Sequence, residues 1–160
     1  MAPLSADAIG EAIRAHGDAD EDLALAAELA EGSLRRAILL MDGGGIGTYR
    51  ALARLLARLP NFDMEAAHAF ADSVSGRGDD DAWVGFSDML AAWLNRRVRG
   101  ESEPESGTSP GPGVAAVPLE RWAEVWETLR RSTEDTDEYN LDRKRTVLSI
   151  LMALARATRM

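Results

Sequence analysis

Residues 29–40 read LAEGSLRRAILL, and this stretch carries the end of one helix and the start of the next. Gly32 follows a segment rich in Ala and Leu, and glycine commonly closes a helix in the left-handed conformation. Ser33 comes directly after it, where a serine hydroxyl can accept a hydrogen bond from a free backbone N–H of the following helix. We therefore predict one helix that ends at Gly32 and another that runs from Ser33 through Met41.

Helical signals continue on both sides of this stretch. Ser5 can cap a helix that runs to about His16, and Asp18 with Glu21 resembles a capping box for the helix after it. Beyond the glycine run Gly43 to Gly45, apolar residues recur at helical spacing. The predicted buried faces are Leu23, Ala26, Ala27 and Ala30; Tyr49, Leu52, Leu55, Leu56 and Leu59; Ala67, Phe70, Ala71 and Val74; Trp83, Phe86, Leu90, Trp93 and Leu94; Leu119, Trp122, Val125, Trp126 and Leu129; and Leu141, Leu148, Leu151 and Ala155.

The composition favours an all-α protein. Hydrophobic residues make up 46% of the 160 residues, and much of that share is Ala and Leu, which are strong helix formers. We predict a small three-helix unit in residues 1–42 and a bundle of about five helices in residues 46–160, because each glycine in the intervening run weakens a helix. Asp63 and Asn140 are predicted N-caps in the bundle. Residues 100–117, GESEPESGTSPGPGVAAV, are predicted to form a mobile loop.

The chain offers few residues for catalysis or for metal binding. It has no cysteine, and His16 and His68 each stand alone, so we expect no metal site and no catalytic residues. Asp79 to Asp81 open a helix, where carboxylates suit the helix dipole, and a metal-dependent enzyme built on them is a distant alternative. No G-x-x-x-x-G-K-[ST] phosphate loop is present, so we expect no bound cofactor.

Net charge and hydropathy argue against two further classes of protein, those that coat DNA and those that cross a membrane. The net charge of −9 argues against a surface that coats DNA, because phosphate neutralisation needs clustered cations. The N-terminus has no secretory signal pattern, and no apolar run reaches the roughly 20 residues needed to cross a bilayer. We therefore expect a cytoplasmic protein without a membrane partner.

The stretch LAEGSLRRAILL resembles the lid-domain motif of clamp-loader subunits in the AAA+ family, often A-E-G-S-x-x-R-A-L. The second helix of that motif carries the position called sensor 2, where an arginine faces the γ-phosphate in the subunits that bind ATP. Arg35 matches the arginine of the G-S-L-R version in those subunits. Arg36 matches the arginine of the G-S-P-G-R-A-L version common in delta-prime subunits. Both arginines are thus sensor 2-like candidates, and the resemblance leaves the choice open.

Four other segments extend the resemblance over nearly the whole chain. PLSADAIGEAIRAHG is similar to the first lid helix, and GGGIGTYRALARLLARLP is similar to the start of the delta-prime collar domain. LERWAEVWETLRR and NLDRKRTVLSILMALA resemble the last two collar helices. Because the chain begins where the nucleotide-binding domain of that family would end, we expect it to be part of a longer protein.

The resemblance implies an assembly role rather than catalysis. It implies a delta-prime subunit of the DNA polymerase III clamp loader, with delta and gamma/tau subunits as direct partners and the sliding clamp and primed DNA as indirect ones. Trp122, Trp126, Leu148 and Leu151 are the candidate interface residues, since aromatic and aliphatic side chains dominate such interfaces. Two alternatives stay open: a gamma/tau-type ATPase subunit of the same loader, and a free-standing helical adaptor or regulator.

Overall fold

The computed structural model describes residues 20–30, 33–42, 44–76, 78, 80–100 and 112–159. Within these residues the chain forms helices and no strands, so the all-α prediction is confirmed there. The helices are α1 (Asp20–Leu29), α2 (Leu34–Asp42), α3 (Gly45–Ala57), α4 (Met64–Val74), α5 (Asp80–Arg99), α6 (Leu119–Glu138) and α7 (Arg143–Ala157), with a single helical turn at Pro112–Ala115. The predicted helix at residues 5–16 and most of the predicted loop lie outside the described residues.

Two of the predicted caps are confirmed and one is wrong. The Ser33 hydroxyl accepts a hydrogen bond from the Arg36 backbone N–H at 3.3 Å, and Asp63 Oδ1 accepts one from the Glu65 N–H at 3.0 Å. The last helix is capped by Asp142, whose Oδ1 accepts from the Arg145 N–H at 2.9 Å, and not by Asn140. Asn140 instead lies in the preceding turn with a left-handed φ of 50°, a conformation that asparagine tolerates better than most residues.

The core of the bundle follows the predicted apolar faces. The phenyl rings of Phe70 and Phe86 pack edge to face with centroids 5.8 Å apart, and the Trp93 and Trp122 rings do so at 5.5 Å. Helix α7 packs between α4 and α6, and α6 also packs along α5. The prediction was wrong for Leu119 and Leu141, which are 54% and 49% exposed. Leu119 is the first residue of α6, and Leu141 lies two residues before α7.

Helices α1 and α2 contact each other through small side chains. Leu23, Ala27, Ala30 and Ala37 form a separate small cluster between them. Leu25, Leu29 and Leu40 face the other way and join the main core beneath α3. Buried packing is therefore continuous across the glycine run, and the division of the chain into two domains stays a prediction.

The C-terminal part of the predicted mobile loop belongs to the folded structure. Val114 and Val117 are buried in the main core, so the loop prediction was wrong from residue 112 onward. A Cβ on Gly113 would come within 3.4 Å of the Pro60 side chain and 3.5 Å of the Thr158 carbonyl oxygen. Pro112–Ala115 thus packs tightly beside the end of α3 and the C-terminus, although its composition is typical of a loop.

Candidate interaction sites

The two sensor 2-like arginines, Arg35 and Arg36, point to different surroundings at the start of α2. Arg35 is exposed. Arg36 is half-buried, and its Nη2 donates a long hydrogen bond of 3.4 Å to the carbonyl oxygen of Asp88 on α5. Arg36 therefore joins the start of α2 to α5.

Arg36 lies on the wall of a cleft between α2, α3 and α5, which we call the α2–α5 cleft. Its cavity volume is about 130 Å³. The lining residues are Arg36, Leu40, Gly45, Thr48, Asp81, Ala82, Val84, Gly85, Asp88 and Met89. Val84 is 52% exposed at the mouth, so an apolar side chain is presented to solvent beside an apolar recess.

The volume of the α2–α5 cleft limits what it can hold. Sites for small molecules and cofactors usually enclose roughly 300 to 1,000 Å³, and this cleft offers about 130 Å³. Asp81 and Asp88 also line this cleft, and their negative charge is unfavourable for phosphate. A contact between Arg36 and nucleotide stays an expectation from the resemblance.

The segment Asn140 to Lys144 forms a second junction. Arg143 Nη1 pairs with Asp80 Oδ1 at 2.7 Å, and the Arg143 guanidinium lies over the Trp83 ring, 5.6 Å from its centroid. Lys144 Nζ pairs with Asp72 Oδ1 at 2.6 Å. These cations sit at the positive end of the α7 dipole, so the acidic partners offset an unfavourable interaction.

The same junction continues into α6. The Trp83 indole N–H donates to Asp137 Oδ1 at 2.8 Å, and the buried hydroxyls of Thr136 and Thr146 hydrogen-bond at 2.7 Å. Residues of α4, α5, α6 and α7 are thereby joined at one end of the bundle. Sequence reasoning missed these pairs because the partners lie on different helices. Read locally, the polar partners look like ordinary helix-terminal residues, and Trp83 looks like a core residue.

The candidate interface residues divide into two pairs. Trp122 and Leu151 are 3% and 2% exposed, so their side chains pack within the core of the chain. Trp126 and Leu148 are half-buried and pack against that core from its edge. Of the four candidates, only Trp126 and Leu148 are partly exposed to solvent.

A wider groove, which the sequence did not predict, lies between α3 and α4. Its cavity volume is about 690 Å³. Ala51, Leu55, Ala66, Ala69 and Phe70 contribute apolar lining, and Arg54, Arg58, Asp63 and Ser73 contribute polar groups. The alanines leave room for close approach of another element, and they went unnoticed because an exposed alanine is unremarkable in a helix.

Neither a metal centre nor a membrane span is found in the part of the chain that the structure describes. In those residues no three His, Cys, Asp or Glu side chains come together in a way that could hold a metal ion. His68 lies on the exposed side of α4. Likewise, none of the described helices is both long enough and apolar enough to cross a bilayer.

Comparison of the chain with protein-family models, with curated proteins and with solved structures gave no match. The likeness to clamp-loader subunits therefore rests on the motifs of the sequence, in the order in which they occur. Two of these motifs, AEGSLRRA and NLDRK, are the segments that form the Arg36 and Arg143 junctions.

Proposed function

We propose that the chain is the lid and collar portion of a bacterial DNA polymerase III clamp-loader subunit of the delta-prime type. In this role it assembles with the delta and gamma/tau subunits and helps the complex to place the sliding clamp on primed DNA. It does not itself hydrolyse ATP, and its location is cytoplasmic. The catalysis of the holoenzyme belongs to other subunits.

The observation that carries this proposal is the position of the two motif segments in the fold. The AEGSLRRA segment links α2 to α5 through Arg36, and the NLDRK segment links α7 to α4 and α5 through Lys144 and Arg143. A subunit that serves as a rigid part of a ring needs fixed angles between its helices. Both segments supply such connections, and the second also lines an open polar hollow of about 680 Å³.

A gamma/tau-type ATPase subunit is the second candidate, because Arg35 is exposed at the N-terminus of α2. A guanidinium and a helix N-terminus both attract an anion, so Arg35 suits the sensor 2 role in a subunit that binds ATP. The sequence upstream in the natural gene product separates the two candidates. An intact phosphate-binding loop there would favour the ATPase subunit.

Assembly tests the proposal directly. The natural gene product that contains this chain is mixed with purified delta and gamma/tau subunits, and complexes are weighed by native mass spectrometry. We expect a complex that includes the protein, with a mixture lacking it as the control. Failure to join any loader subunit, both as this chain and as the natural product, would refute the proposal.

Ligand binding by the isolated chain gives an independent check. Because the net charge is −9 and the Arg36 cleft is small, we expect calorimetry to detect neither ATP nor duplex DNA binding at physiological salt. Micromolar ATP binding would contradict the delta-prime proposal and support the ATPase alternative.

A further inference from the structure

Gly85 leaves the α2–α5 cleft open, although packing within the chain does not require a glycine at this position. It lies in the interior of the 20-residue helix α5, where glycine destabilises a helix relative to alanine. A Cβ added at Gly85 would meet only the Met89 Cε, at 4.0 Å, which is ordinary contact. The fold would therefore accept alanine at position 85. The effect of the glycine is to keep the cleft open.

Gly45, on the opposite wall of the cleft, is by contrast a glycine that helix packing requires. A Cβ there would come 2.9 Å from the Leu40 Cα and 3.0 Å from the Leu40 carbonyl oxygen, so α2 and α3 could not meet as they do. Gly45 thus brings two helices together, whereas Gly85 holds space free. The free space is what a docking partner would use.

The size and lining of the cleft match one apolar side chain. Its volume of about 130 Å³ is comparable with the roughly 150 Å³ of an apolar protein cavity that binds benzene. Leu40, Ala82 and Met89 supply apolar walls. Burial of one aliphatic or aromatic side chain there would favour the complex, because it removes apolar surface from water.

The rim of the cleft selects the charge of the partner. The exposed carboxylates of Asp81 and Asp88 stand there with the single guanidinium of Arg36, which leaves the rim with a net negative charge. Opposite charges around a buried anchor favour association and suppress wrong partners. A segment with Lys or Arg beside its apolar anchor therefore fits the rim.

We propose that the α2–α5 cleft is a docking site for one apolar side chain, flanked by Lys or Arg, on a neighbouring clamp-loader subunit. This inference rests on the proposed function, from which it takes its partner. The anchor enters between Leu40 and Met89, and the flanking cations face Asp81 and Asp88. Arg36, held by the Asp88 carbonyl, fixes the distance between the two walls.

The first test fills the cleft. Gly85→Phe places a ring in the recess, and Gly47→Phe is the matched control because Gly47 is an exposed helical glycine on α3 with no atom within 4 Å of its added Cβ. In native mass spectrometry and titration with the other loader subunits, we expect Gly85→Phe to weaken assembly on the order of tenfold or more. Gly47→Phe should assemble like the parent protein.

The second test reverses the rim charge and does not alter the interior. Asp81→Lys with Asp88→Lys is compared with Glu120→Lys with Glu124→Lys, a pair of exposed acids on α6. The rim variant should associate several-fold more slowly at low salt, and the α6 variant should not. Circular dichroism on heating verifies that each variant is folded, so the rim variant decides the matter if Gly85→Phe does not fold.

The outcomes separate this inference from the proposed function. If the parent protein joins the loader and the Gly85→Phe and rim variants join equally well, the docking site is refuted and the function stands. Equal loss in Gly85→Phe and Gly47→Phe also refutes a cleft-specific anchor. If the parent protein joins no loader subunit, the proposed function falls, and the docking site named here falls with it.

Discussion

The helix pair α1–α2 and the bundle α4–α7 are both helical, but different side chains hold them together. Between α1 and α2 the buried cluster consists of one leucine and three alanines. The bundle instead buries large rings, among them Trp83, Phe86 and Trp122. Because an aromatic side chain buries roughly 150 to 250 Å², the bundle has a strong core of its own. The pair depends on its docking against α3 through Leu25, Leu29 and Leu40.

The largest expected loss of stability comes from removing an aromatic ring from the core of the bundle. Phe86 is fully buried and contacts the rings of Phe70 and Trp83. We expect Phe86→Ala to lower the free energy of unfolding by about 3 to 5 kcal/mol, through lost burial and the cavity left behind. Urea denaturation followed by tryptophan fluorescence measures it. Val84→Ala, at an exposed position of the same helix, is the control, and a loss below about 1 kcal/mol for Phe86→Ala would contradict this account.

A smaller and more local effect should follow in the helix pair. Leu25 is buried and connects α1 to the main core, so we expect Leu25→Ala to cost about 2 to 3 kcal/mol of docking free energy. Hydrogen exchange should then speed up in α1 and α2 while α4 to α7 keep their protection. Leu154→Ala, at a fully buried position in the last turn of α7, is the matched control and should affect the bundle helices. Uniform loss of protection in Leu25→Ala would show that the pair and the bundle unfold as one unit.

The smallest effect concerns the exposed surface of the bundle. Arg130 donates hydrogen bonds 2.7 to 3.2 Å long to Glu127 and Glu134 on α6. Its hydrogen bonds to Glu127, together with its charge, lower the pKa of the Glu127 carboxyl below its ordinary value of 4.5. A lowered carboxyl pKa means that any stabilising contribution is present above pH 4.5 and is lost as the pH falls below it. Carbon-13 NMR titration should show Glu127 moving back toward its ordinary pKa in Arg130→Gln. The midpoint of thermal unfolding at neutral pH should hardly change, because such exposed pairs contribute little. An unchanged Glu127 titration in the variant would show that Arg130 is not the cause.

Local signals predicted most of the fold. Ser33 and Asp63 precede apolar stripes, and both cap helices as their chemistry suggests. Where two capping residues lie close together the sequence was ambiguous, and Asp142 rather than Asn140 caps α7. Val114 was missed because the composition around it resembles a solvated loop, and only the completed bundle provides the surface that buries it.

The candidate sites were harder to predict than the fold. Arg36 was selected from a motif, but its bond to Asp88 joins residues 52 positions apart, a distance at which helical periodicity carries no information. The α2–α5 cleft arises from the angle at which three helices meet. Its one sequence signal is Gly85, and a single glycine within a helix is too common to identify a site.

The corner between α2 and α3 has a practical consequence for anyone who wishes to divide this protein. A run of glycines is a common choice of site for splitting a protein into fragments, for circular permutation or for inserting a reporter. Gly44 is left-handed with φ 69°, and Gly45 lies against the main chain of Leu40, so this corner is a close-packed contact. A cut or an insertion at this corner would therefore break the contact between α2 and α3.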